Sequence, residues 1–259
     1  MGFLDGARAS AYANKGYREH AAANKLSDEG KPQEAKQKYQ VALGLYREAE
    51  KLAPIPLNAL MGYIILLMRE GFFDEARDRM LAVEKRKDLK KEDWFSLRLY
   101  FSYYQWHCGE LDKAIETIRR AGHEKMTGVI YSTLGMYLID KARETGDTAE
   151  ALAFNQQAMD YDDEDAATLD NMGQLYDLMS RNDPEKAEEY HKKAIDYFKK
   201  AREAKPRQIT TIYWLAKLFH DDGDDVRARK VLIPAPTLYF SKLCPITQEM
   251  MDALVKEVG

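Results

Sequence analysis

One short phrase recurs six times along the chain and constrains its fold more than any other feature. A turn residue is followed about five residues later by alanine, four later by a bulky residue, and three later by a small one. It reads Gly30, Ala35, Tyr39, Ala42, and then Gly71, Ala76, Met80, Val83. Gly109, Ala114, Ile118, Ala121 and Gly146, Ala151, Asn155, Ala158 follow, then Asp183, Ala187, His191, Ala194 and Gly223, Ala228, Leu232, Ala235. The first alanines are 41, 38, 37, 36 and 41 residues apart. Spacings of three and four put the phrase on one face of a helix, and a period near 40 marks a helical repeat. A second helical pattern precedes each phrase, clearest at Leu134–Leu138, Met172–Tyr176 and Trp214–Phe219. Each unit therefore reads helix, short turn, helix. Small residues let two backbones approach, and bulky ones fill the space between successive units, none of which buries its apolar face alone.

Composition agrees with helix. Eight prolines and fifteen glycines interrupt 259 residues, and 45% of the chain is apolar, enough for a sizeable core. The net charge of −4 gives no global attraction to nucleic acid or anionic lipid. The longest apolar run, Ala59 to Met68, is half of what a membrane span needs. The first 20 residues lack the apolar stretch of a signal peptide. Gly2 suggests myristoylation, but Gly6 stands where that motif wants Ser or Thr. Cys108 and Cys244 are far apart and form no CxxC pair, so neither a disulfide framework nor a zinc site is expected, and a cytoplasmic setting is.

The phrases resemble the tetratricopeptide repeat (TPR), a helix-turn-helix unit of 34 residues. Leu134, Gly135 and Leu138 match the first-helix part of its signature, as do Met172, Gly173 and Tyr176. Leu215, Ala216 and Phe219 match it again, with Ala228 at the family spacing. The resemblance implies an all-α fold, a right-handed superhelical solenoid of about six repeats in a single domain spanning 1–259. Repeats are expected at roughly 16–54, 55–90, 91–125, 126–165, 166–206 and 207–240, with a C-terminal cap over 241–259. Spacings of 41 predict second helices lengthened by a heptad, over Pro32–Leu52 and Pro184–Ala204, overhanging by about 10 Å. Ile233 to Pro245 cannot be regular helix, because Pro234, Pro236 and Pro245 break it. It either fills the groove or caps the solenoid. Thr247 is placed to N-cap a last helix whose stripe is Ile246, Met250, Met251, Leu254, Val255 and Val258.

Catalytic constellations are missing: no phosphate loop, HExxH or GxSxG is present. No cofactor or metal is expected, and His20, His107, His123, His191 and His220 lack ligand spacing. The acidic stretch Asp160–Asp165 fails calcium-loop spacing and reads as a solvated turn.

In TPR proteins the first helix of each unit lines a concave groove. By that resemblance, His20 and Asn24, Asn58 and Met61, then Leu99, Tyr100, Tyr103 and Trp106 face it. Ser132, Thr133 and Met136 follow, then Asp170, Asn171 and Gln174, then Tyr213, Trp214 and Lys217. Asn24 matches one position of the family's carboxylate clamp, but Gly62 and Tyr100 stand where an amide and a cation are required. The expectation is a non-catalytic scaffold that binds a peptide or protein segment in this groove, with no nucleic-acid or membrane partner. Self-assembly through the terminal helices and a small-molecule-responsive regulator are the alternatives. The aromatic rings admit two roles, packing between helices or ligand contact.

Overall fold

The computed structural model describes residues 3–259. Met1 and Gly2, and with them the myristoylation reading of Gly2, lie outside the described residues. Among those described, the regular elements are thirteen α-helices and one short 3-10 turn, with no strand. The helices are α1 (Phe3–Asp28), α2 (Pro32–Leu52), α3 (Leu57–Arg69), α4 (Phe73–Glu84), α5 (Lys91–His107), α6 (Leu111–Glu124), α7 (Gly128–Thr145), α8 (Ala149–Tyr161), α9 (Ala166–Asn182), α10 (Ala187–Ala204), α11 (Ile209–Asp221), α12 (Asp225–Leu232) and α13 (Gln248–Val258).

The recurring phrase builds the turn and the core of each pair. Gly30, Gly71, Gly109, Gly146 and Gly223 all have φ between 76° and 89°, a left-handed conformation that costs glycine nothing. Asp183, which replaces the glycine in the fifth unit, keeps φ at −126°. There the chain makes a different turn in which Asp183 Oδ1 accepts from the Glu185 and Lys186 amides. Helix α10 consequently starts at Ala187 rather than at Pro184, as the heptad argument expects, while α2 spans the expected Pro32–Leu52. Ala35, Ala76, Ala114, Ala151 and Ala228 are buried, as are Tyr39, Met80, Ile118 and Asn155.

Two compact units form. The first holds the described residues up to Tyr100 together with 236–243; the second holds 101–235 together with 244–259. In the first, α1 and α2 form a long hairpin, and α3 packs on both. Helix α1 is continuous through residues 3–16, which carry no repeat phrase. Tyr46 stacks on Tyr63 at 4.9 Å, joining α2 to α3. In the second unit, α7, α9 and α11 pack in succession as the first helices of their pairs, with α8, α10 and α12 behind them.

Gly135 and Gly173 sit where paired helices come closest. A Cβ on Gly173 would lie 2.7 Å from the Phe198 ring, and one on Gly135 would meet the Asn155 amide. Asp165 caps α9 by accepting from Thr168 N at 2.8 Å, which gives the acidic stretch a structural task. Thr247 caps α13 as expected, accepting from Met250 N. Ile246, Met251, Leu254 and Val258 are buried where α13 packs on α11 and α12, whereas Met250 and Val255 are exposed.

Candidate functional site

Within the second unit the first helices of four successive pairs share one hydrogen-bonded chain. Trp106 on α5 donates its indole N–H to Asp140 Oδ2 on α7 at 2.9 Å. One turn on, Arg143 donates to the other oxygen of Asp140 at 2.6 Å and to Gln174 Oε1 on α9 at 2.6 Å. Gln174 donates to Asp170 Oδ2 at 2.8 Å, and Thr211 on α11 donates to Asp170 Oδ1 at 2.7 Å. Arg143 also lies over the Trp214 ring, 5.2 Å from its centroid. Trp214 meets Tyr213 edge-on at 5.3 Å, and Trp106 stacks over buried Tyr137 at 6.1 Å.

Electrostatics follow burial. Asp170 is 3% exposed. Burial pushes its carboxyl above the usual range, opposed by the hydrogen bonds from Thr211 and Gln174 and by the Arg143 charge. Cys244 lies in the field of Asp170; burial first, and that charge after, lift its thiol to about 11. Burial also raises the Tyr103 phenol, against a hydrogen bond with Thr133.

The residues expected from the sequence thus divide by exposure. Tyr103, Trp106, Tyr213, Trp214 and Lys217 are half-buried. Asn171 and Gln174 are buried and already partnered, Asn171 through its amide to Ser132 O at 2.8 Å; they hold neighbouring helices in register. Lys217 pairs with Asp221 at 3.0 Å. Asp140 and Arg143, which tie two tryptophans together, are absent from the expected set. Both follow Met136 on one helical face, at four and seven residues, so continuing the groove-facing positions by one more turn finds them.

In the first unit, Asn58 is exposed and Tyr100 half-buried. Asn24 accepts from Tyr39 OH at 2.8 Å and from Arg69 Nη1 at 3.1 Å, while Arg69 Nη2 donates to the Tyr39 oxygen at 3.1 Å. His20 meets the Tyr39 ring edge-on. Burial, with the Arg69 charge adding to it, lowers the His20 pKa to about 4, so it is neutral at neutral pH. Residues 236–243 complete this cluster. Tyr239 packs on Tyr39 at 4.9 Å and donates to the Glu70 carboxylate, and the Lys242 amide donates to Arg69 O at 2.8 Å. The middle of the segment between Ile233 and Pro245 is thus tied to α2 and to the end of α3.

No protein-family profile and no curated protein matches the chain. Solved structures do. A thermophilic TPR protein of Thermus thermophilus is similar at TM-score 0.52 and 18% identity, over 63% of this chain and 80% of that one. A tetratricopeptide-repeat protein of Parabacteroides merdae matches at TM-score 0.52 and 12% identity, over 94% of this chain and 99% of that one. A monomeric mutant of IFIT1, solved with Gppp-AAAA, matches at TM-score 0.60 and 16% identity, over 84% of this chain and 49% of that one. The chain has a TPR-like fold, an all-α helical-repeat solenoid.

Proposed function

We propose that this TPR-like chain is a non-catalytic scaffold that holds an extended segment of a partner protein across α5, α7, α9 and α11. The observation that carries the reading is the fixed aromatic wall. Trp106 and Trp214 are tied to one Asp140–Arg143 pair, so their half-exposed rings are positioned before any ligand arrives. Rigid, amphipathic rings give contact area at little entropic cost. The first unit supplies a precedent: it already holds an irregular segment of this chain, residues 238–242, through the Tyr239 ring and hydroxyl and one backbone hydrogen bond from Lys242 to Arg69. The partner's recognised side chains would be apolar or aromatic, with an amide or cationic group for the carboxylate edge of the wall.

A displayed random-peptide library tests this. Peptides retained by the wild type and lost by Tyr103→Ala/Trp214→Ala, with the variant's melting unchanged, are the expected result. Equal retention by both proteins would place the site elsewhere. Unfolding of the variant would make the rings core, and a Trp106→Phe protein would then decide, since it keeps an aromatic face there and loses the indole N–H that bonds Asp140.

A further inference from the structure

A second site lies away from the aromatic wall, in a cavity of about 450 Å³ between α10, the turn at Pro206, α11 and α12. That volume is within the range of small-molecule pockets, roughly 300–1,000 Å³. Its floor is apolar: Leu215, Phe219 and Val231 are all nearly fully buried. Its rim is cationic. Lys199, Arg202, Arg227 and Lys230 line it against a single carboxylate, Glu203.

The state of each cation matters. Arg227 is bound to Asp224 at 2.7 Å and lies over the Phe219 ring at 4.4 Å, so it forms part of the wall. Arg202 donates one guanidinium N–H to the Lys230 carbonyl at 3.3 Å, which orients the group, and no carboxylate among the described residues pairs with it. Lys199 and Lys230 are exposed and have no acidic hydrogen-bond partner among the described residues. Arg202 and Lys230 stand in the last turns of α10 and α12, where the helix dipole favours positive charge. Lys199, one turn earlier on α10, does not owe its place to that effect. Most other cations in this unit are paired, as in Lys192–Glu188, Lys193–Glu189 and Arg119–Glu150. Three cations with no ion pair among the described residues, set against Glu203 in the lining and Asp224 near Lys230, leave the rim net positive over an apolar floor, and charge interactions are stronger beside low-dielectric surface than in water.

We propose that this cavity binds a small amphipathic anion, an alkyl or acyl body ending in a carboxylate or phosphate. The apolar body would lie over Pro206 and the aliphatic stems of Lys199 and Lys230, with Leu215, Phe219 and Val231 beneath, and the head group would take Arg202 as a bidentate donor with the two ammonium groups beside it. The inference does not depend on the peptide reading, since it uses a different cavity and a different chemistry.

Isothermal titration of the full chain with octanoate, octyl phosphate, octylammonium and octanol tests it. The two anions should saturate one site per chain, and octylammonium and octanol should bind at least tenfold more weakly. Lys199→Glu/Lys230→Glu should weaken both anions at least tenfold without moving the melting midpoint. Lys36→Glu/Lys51→Glu, with the same charge change on α2, should leave them unchanged. Equal binding of cation and anion, no saturable binding of either anion, or equal losses in the two charge-reversed proteins would each overturn the proposal. If Lys199→Glu/Lys230→Glu melts early, Lys199→Gln/Lys230→Gln is read instead, with a loss of at least fivefold expected.

Discussion

Single residues set how closely these helices approach. Gly173 is a clear case. A methyl group there would fall 2.7 Å from the Phe198 ring, and Phe198 is fully buried, so it has little room to retreat. Overpacking of this kind costs typically 1–3 kcal/mol, against a helix-propensity gain of about 1 kcal/mol for alanine over glycine. Gly173→Ala should therefore lower stability by about 1 kcal/mol in urea unfolding; a higher midpoint would mean that the two helices are not tightly seated. The recurring small residues were legible because every unit repeats them for the same steric reason. Asp140 and Arg143 were readable only by continuing the groove-facing positions one turn past Met136, and their partners were not, because the bridges Trp106–Asp140, Arg143–Gln174 and Thr211–Asp170 each use a different residue pair and leave no periodic trace. The buried amides of Asn171 and Gln174 mark the same limit: position on a face was readable, but whether a side chain meets a neighbour or solvent depends on the adjoining helix.

Among the elements, the most informative is the stretch that forms no regular helix. Proline positions predicted that residues 233–245 would break from helix, and they do: only the 3-10 turn Ala235–Thr237 interrupts an irregular path. What the prolines could not say is where the stretch would go. Its contacts are with residues about 170 to 200 positions earlier, Arg69, Glu70 and Tyr39, and no local pattern encodes a pairing at that distance. Tyr239 is its anchor. Burial, with the adjacent Glu70 carboxylate, pushes its phenol well above the ordinary range, so it stays a neutral hydrogen-bond donor. Tyr239→Ala should release the segment while leaving helical content intact. The Lys242 amide, bonded to Arg69 O in the wild type, should then exchange with solvent at least tenfold faster; an unchanged rate would show that the backbone contacts hold the segment unaided. The later start of α10 has an equally local cause, since Asp183 supplies its turn through side-chain hydrogen bonds instead of a left-handed glycine.

At the scale of the whole molecule, the six-fold phrase was enough to give an all-α helical-repeat fold, which the likeness to solved TPR structures supports. Fold alone does not give function; the function proposed above rests on the side chains of the first helices of the second unit. The central claim is that a partner segment lies against Trp106 and Trp214. The chain contains three tryptophans, Trp94, Trp106 and Trp214, so a Trp94→Phe protein emits only from the two on the proposed face. Its fluorescence, titrated with a peptide selected on the wild type and followed beside the heat of binding, is the most direct test. Emission that shifts and saturates in step with the heat is the expected result. Heat of binding with unchanged emission would contradict it.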